Sequence, residues 1–177
     1  MKIVCESERL IIRQFNLNDA AFIMRLLNEE LFLRYIGDKN IRTYEDAVNY
    51  LTNNPMLSYS THGFGLNLVQ LKGAETPIGM CGLLKRAELN LPDLGYAFLP
   101  EFSGKGYAKE AAEAVLNAEM AAYAVDTVLA VTLPDNLKST RLLERLGFQL
   151  QGPIDLYNLQ NSLYRYSACP AFIDPNS

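Results

Sequence analysis

Apolar residues recur along this chain in two rhythms, and the two alternate in blocks. Residues 9–14, RLIIRQ, read as a short strand. The next segment, NLNDAAFIMRLLN, sets Ile23, Leu26 and Leu27 on one helical face, with Asn16 or Asn18 placed to cap it. In TYEDAVNYL, Tyr44, Ala47, Val48 and Leu51 fall at i, i+3, i+4 and i+7. Thr43 and Asp46 stand at capping-box spacing, so a second helix follows. From residue 63 to 99 the rhythm changes. GFGLNLVQL, PIGMCGLLKR and DLGYAFL are three strand-like runs, joined by the turn-rich KGAET and AELNLP. Such short connections predict an antiparallel meander.

A long helix is predicted from about Lys105 to Tyr123. Ala108, Ala111, Val115, Ala118 and Ala122 make a narrow small-residue face on it, suited to close packing on a sheet. TVLAVTL, 127–133, is a near-continuous apolar run, as in a strand buried on both faces. NLKSTRLLERLGF reads as a further helix, with Asn136 as cap, Leu142, Leu143 and Leu146 inward, and Gly147 as its stop. Two more strands are expected near 149–156 and 162–167. The predicted order is β, α, α, β, β, β, α, β, α, β, β, a mixed sheet with helices on both faces and an α/β (α+β) fold class. One domain is expected over 1–168, with a loose tail at 169–177.

Length and composition narrow the function classes. With 177 residues the chain suits a single well-formed core. The formal net charge of −4 and the scattered basic residues give no nucleic-acid footprint. A mildly acidic surface is a weak bias toward amine-bearing ligands. Cys5, Cys81 and Cys169 are far apart and odd in number, which argues against a disulfide framework or a zinc site and for a reducing cytosol. No apolar run approaches a membrane span, and the start MKIVCESERL does not read as a signal peptide. The expectation is a soluble cytoplasmic protein without metal.

The stretch EFSGKGYAKEA, 101–111, carries the first chemistry. Gly104 and Gly106 are free to take positive φ, and the helix that follows presents N–H groups from Lys105 to Ala108 to an anion. A P-loop needs GxxxxGK followed by Ser or Thr, and here Tyr107 and Ala108 follow Gly106. A dinucleotide fingerprint needs a third glycine where Lys109 stands, and a preceding strand that opens a βαβ unit. Both nucleotide readings fail. A plain loop at a helix start remains the alternative for this turn taken alone.

A second motif accompanies it in order. LGYAFLPEFSGKGYAKEA followed by VTLPDNLKSTRLLERLGF resembles the GNAT acyltransferase superfamily, in its branch of ribosomal-protein N-terminal acetyltransferases of the RimJ/RimL type. The resemblance covers most of the chain. It implies a mostly antiparallel twisted sheet of about seven strands, splayed between the fourth and fifth, with acetyl-coenzyme A as co-substrate. The turn Ser103, Gly104, Lys105, Gly106, Tyr107 and Ala108 would bind the pyrophosphate. Ser103 departs from the family's usual Gln or Arg, and since backbone donors do most of the anion work, cofactor binding is expected to survive. Tyr96 to Leu99, with Phe98 between them, would pair with the pantetheine arm. The Tyr96 N–H would face the thioester carbonyl as a one-donor oxyanion site. Asn136 matches the family residue that touches the pantetheine, and also reads as a helix cap.

Many relatives carry a tyrosine seven residues after that Asn, as proton donor to the leaving thiolate. Leu143 occupies the position here. Ser139 matches the serine of RimL-like members and is read as a hydrogen-bond donor to sulfur, or else as an ordinary first-turn residue. Asp93 is the candidate base, with Glu88 beside it; each also reads as a solvated loop charge. Glu101 and Glu110 are expected on the surface by the turn. His62, the single histidine, reads as a loop residue, and Cys81 as a buried strand residue without a nucleophilic role.

The acceptor is a primary amine, on a protein N-terminus or a small molecule. YIGDKNIRT (35–43) and RAELNLPD (86–93) would wall its side, with Tyr35, Tyr59 and Tyr96 available to line it. A GNAT-like acyl-CoA-binding module with little turnover is the rival reading, and a nucleotide-binding α/β protein the third. The chain is expected as a monomer or a homodimer, with the C-terminal strand pair that contains LYRYS offered as a dimer edge.

Overall fold

The computed structural model describes residues 1–168. The expected tail and Cys169 lie outside them. The strands are β1 (Ile3–Glu6), β2 (Leu10–Gln14), β3 (Leu66–Leu71), β4 (Pro77–Leu84), β5 (Asp93–Phe98), β6 (Thr127–Thr132), β7 (Gln149–Leu156) and β8 (Leu159–Ser167). The helices are α1 (Ala20–Leu26), α2 (Glu30–Tyr35), α3 (Tyr44–Leu51), α4 (Leu57–His62), α5 (Tyr107–Ala122) and α6 (Leu137–Leu146). Local chemistry sets several ends. Asn16 and Asp19 form a reciprocal capping box before α1, and Thr43 and Asp46 form another at α3. Asn136 caps α6, and Gly147 ends it in the left-handed region.

The strands form one eight-stranded sheet in the order β1-β2-β3-β4-β5-β6-β8-β7. Every neighbouring pair is antiparallel except β5 and β6, which run parallel. β4 and β5 match over six residue pairs, whereas β5 and β6 share one, Asp93 with Leu129. Beyond that pair the strands part, and the expected splay is present.

Helices cover both faces. α5 and α6 pack on one face over Leu10, Ile12, Val69, Leu83 and Val128. α1 and α3 pack on the other over Leu66, Leu68 and Met80. Arg13 of β2 pairs with Asp19 at 2.8 Å inside the protein and also donates to Gln70, which ties the start of α1 to the sheet.

Three expectations change. β1 was not anticipated; it is a four-residue edge strand, too short to show a period. α2 and α4 are also additional, and α4 continues α3 through a π-turn around Pro55. The buried stripe of α5 runs through Ala111, Ala112, Val115, Leu116, Glu119 and Met120, while Ala122 faces solvent. Leu116 and Met120 bury more apolar area than the alanines do, so they turn the helix toward the sheet. Finally, LYRYS belongs to β8, which lies between β6 and β7. It is the inner strand of the C-terminal pair, and its partner β7 forms the edge of the sheet.

Candidate functional site

The parting of β5 from β6 leaves one side of β5 open. The Pro92 carbonyl accepts from the Leu129 N–H at 2.9 Å on the β6 side. The Leu99 N–H donates to the Ile78 carbonyl at 2.8 Å on the β4 side. Backbone groups alternate along an extended strand. The N–H groups of Tyr96 and Phe98 therefore face the gap, and those of Gly95 and Ala97 face β4. Leu99 does not serve the slot as expected. Its N–H is taken by Ile78, its carbonyl by the Phe102 N–H, and its side chain is 1% exposed in the core.

At the outer end of the gap lies the glycine turn. Gly104 and Gly106 have φ of 76° and 81°. A Cβ built at Gly104 meets nothing within 4 Å, so the outer surface of the turn is open to a ligand. α5 begins at Tyr107 with Gly106 as its cap residue and no side-chain cap, so its first N–H groups are left for an outside acceptor. Two cations not anticipated from the sequence serve this turn. Arg9 donates to the Lys105 carbonyl at 3.0 Å and to Glu110 at 2.7 Å, with its guanidinium 4.3 Å from the centre of the Tyr107 ring. Lys138 of α6 donates to the Ser103 hydroxyl at 2.8 Å. A lysine in the first turn of a helix opposes the helix dipole, and that placement was the available signal. Glu110 is not a free surface charge. Partial burial works against its ionised form, but bonds from Ser7 and Arg9 outweigh it and hold the carboxyl below its usual range. Glu101 is exposed and pairs with Arg25.

Deeper in the gap, Ser139 of α6 meets Tyr96. Their hydroxyls share a 2.5 Å hydrogen bond. Burial pushes the Tyr96 phenol up to about 12, so it stays protonated and available as a donor. Asn136 accepts from the Ser139 N–H at 3.3 Å and thereby sets the first turn of α6 against β5. Leu143 is 1% exposed and lines the same cavity as Tyr96, Asn136 and Ser139. Tyr96 was expected to offer its N–H to the slot and its ring to the cavity wall; the contact of its hydroxyl with Ser139 joins residues 43 apart in the chain and was not legible.

Comparison with known proteins bears on this geometry. Residues 9–149 match the family model described as an acetyltransferase (GNAT) domain. The chain belongs to the GNAT acetyltransferase family. An uncharacterized N-acetyltransferase of Bacillus subtilis (strain 168), YoaA, is 28% identical over 159 residues, covering 89% of either chain. The crystal structure of an acetyltransferase from Agrobacterium tumefaciens str. C58 superposes with a TM-score of 0.80 at 21% identity, over 92% of this chain and 93% of that one. RimL, a ribosomal L7/L12 α-N-protein acetyltransferase in complex with coenzyme A, superposes at 0.77 with 18% identity, over 94% of this chain and 98% of that one. At such identities the two structures speak for a shared fold.

In this GNAT domain the expected wall segments 35–43 and 86–93 both reach the cavity, as do Tyr35 and Tyr96, and Tyr59 does not. The cavity beside Tyr96 is walled by Tyr35 and Ile36 at the end of α2, by Arg86 after β4, and by Leu156, Tyr157 and Asn161 of the β7–β8 hairpin. The two strands of the hairpin were expected, but not their place as a wall of this cavity. Tyr59 does not line the cavity; it is half-buried, donates to the Leu66 carbonyl and accepts from the Phe15 N–H at 3.0 Å. Asp93 is neither a solvated loop charge nor a free base. It is 1% exposed and both its oxygens are held by Arg86, at 3.0 and 2.6 Å. Burial raises its carboxyl above the usual range although Arg86 opposes that. A buried carboxylate clamped in this way anchors the guanidinium. Glu88 is exposed and His62 stacks on Phe64; neither lines the cavity. Cys81 is fully buried with its thiol pushed up, as an inert strand residue should be. Among the described residues no helix is long and apolar enough to cross a membrane, and no group of three His, Cys, Asp or Glu is placed to hold a metal ion.

Proposed function

We propose that this acetyltransferase moves the acetyl group of acetyl-CoA directly onto a primary amine, on a small molecule or a protein N-terminus. The observation that carries the reading is the parted β5–β6 pair, with the uncapped start of α5 at its mouth. The turn 103–108 holds the pyrophosphate on backbone N–H groups, with Arg9 and Lys138 adding charge beside it. Asn136 and the open edge of β5 at Tyr96 and Phe98 hold the pantetheine arm as a further strand would be held.

Acetyl-CoA supplies an activated thioester. The amine nitrogen forms a bond to its carbonyl carbon, the carbon–sulfur bond breaks, and the amine loses a proton. The Tyr96 N–H stabilises the negative oxygen while this happens. Ser139 donates its hydroxyl hydrogen to the departing sulfur, and the Tyr96 phenol donates in turn to the Ser139 oxygen. This arrangement stands in for the tyrosine absent at Leu143. No Asp or Glu is among the residues lining the cavity, so the acceptor gives its proton to solvent.

Calorimetric titration with acetyl-CoA, followed by CoA release over an amine panel, tests the proposal. Binding together with amine-dependent release supports it. Binding without release from any amine supports an acyl-CoA-binding module instead.

A further inference from the structure

We propose that Arg86 is the acceptor-recognition residue, and that the acceptor is a small amine bearing an anionic group, carboxylate or phosphate. This rests on the acetyltransferase reading above. Arg86 is the one charged side chain among the residues lining the cavity. Its Nε and Nη2 are taken by Asp93 in a side-on pair, which leaves the Nη1 edge of the guanidinium, beside the Tyr157 side chain, for another acceptor. Asp93 is buried and outside the cavity lining, so the acid sits behind the guanidinium and fixes its plane. Lys85, whose charge also reaches Asp93, keeps the local balance positive. An entering anion meets a pre-oriented donor pair and no carboxylate, whereas a polycationic amine finds no partner. Asp93 and Tyr96 are three residues apart on β5, about 10 Å. That span sets the separation of amine and anion at about 10 Å.

The test compares matched acceptors of increasing spacing: glycine, γ-aminobutyrate, ε-aminocaproate and lysine, each beside its carboxamide, with aminoalkyl phosphates as a further arm. At one spacing the acid is expected to exceed its amide in kcat/KM by roughly ten- to hundredfold, the range for a hydrogen bond to a charged group. A phosphate that outperforms the carboxylate assigns the anion as phosphate. The preference should collapse toward unity, mainly through KM, in Arg86→Gln and in Arg86→Gln/Asp93→Asn. The double change leaves no stranded buried carboxylate, so it serves if the single variant fails to fold. Equal use of acid and amide by the wild type, or a preference that persists in both variants, overturns the proposal. Equilibrium binding of the same compounds in the presence of CoA separates the two readings. Acid binding that is lost in the double variant, with no acetyl transfer, keeps the Arg86 site and overturns the enzymatic reading. Transfer without acid preference does the reverse, and failure of every acid and phosphate to bind or react overturns the Arg86 site.

Discussion

The two ends of the proposed site are built by different means. At the end proposed for the cofactor, the groups on offer are backbone N–H donors of the glycine turn, of the start of α5 and of one edge of β5. At the cavity proposed for the acceptor they are side chains from α2, the loop after β4 and the β7–β8 hairpin, three segments more than 30 residues apart. A site made of backbone tolerates substitution, because the donors survive most side-chain changes. Ser103 replaces the Gln or Arg that the resemblance led us to expect, and Lys138 reaches across from α6 to its hydroxyl. A site made of side chains changes its ligand with each substitution.

The comparison breaks first at Gly106. Gly106→Asp strains a backbone held at φ 81° and sets a carboxylate beside Arg9, whose Nη2 lies 3.4 Å from the new Cβ position. Acetyl-CoA affinity should fall by roughly a thousandfold or more, read by calorimetry; near-normal affinity would mean that the turn does not hold the pyrophosphate. Next comes the junction of the two ends. Ser139→Ala should lower kcat by ~10², and Tyr96→Phe by about tenfold, each with acetyl-CoA affinity little changed. An equal loss in both would make the phenol, rather than the serine, the group that meets sulfur.

A control on the common support follows. Glu119 lies in the buried stripe of α5, accepts from Asn67 at 3.2 Å and from the Leu83 N–H at 3.3 Å, and is raised by burial to about 7. Its folded value stands above the unfolded one of 4.5, so the folded state binds the extra proton between them. The contribution of Glu119 to stability should be complete below about pH 4.5 and be lost as pH rises through about 7, by on the order of 3 kcal/mol. Glu119→Gln should remove that slope in chemical denaturation, and an unchanged slope would place the titration elsewhere. The smallest effect is expected from Lys138→Ala, about three- to tenfold in acetyl-CoA affinity and weaker still at high salt. A larger loss would show that the cofactor end depends on side chains after all.

What the sequence disclosed follows the same division. Caps at Asn16, Thr43 and Asn136, the stop at Gly147 and the glycine turn are local features, readable within four residues of themselves. The slot came through a resemblance, and its edges then followed from strand alternation. Tyr96 with Ser139, Lys138 with Ser103 and Arg9 with Lys105 join residues 43, 35 and 96 apart, which no periodicity reports. Asp93 misled because a carboxylate at a loop boundary reads as solvated. The arginine seven residues earlier that buries it is visible only after the strands have paired.

The single parallel pair between β5 and β6 also has a consequence in time. With the strands parted, alternate amides of β5 differ in what they can lose to solvent. The amide hydrogens of Tyr96 and Phe98 should exchange with deuterium quickly, while those of Gly95, Ala97 and Leu99, bonded to β4, exchange slowly. A ligand lying along the open edge would slow the fast pair and leave their neighbours as they were. The strand then acts as a ruler with two-residue marks, and the marks that go silent record how far along it the bound arm extends.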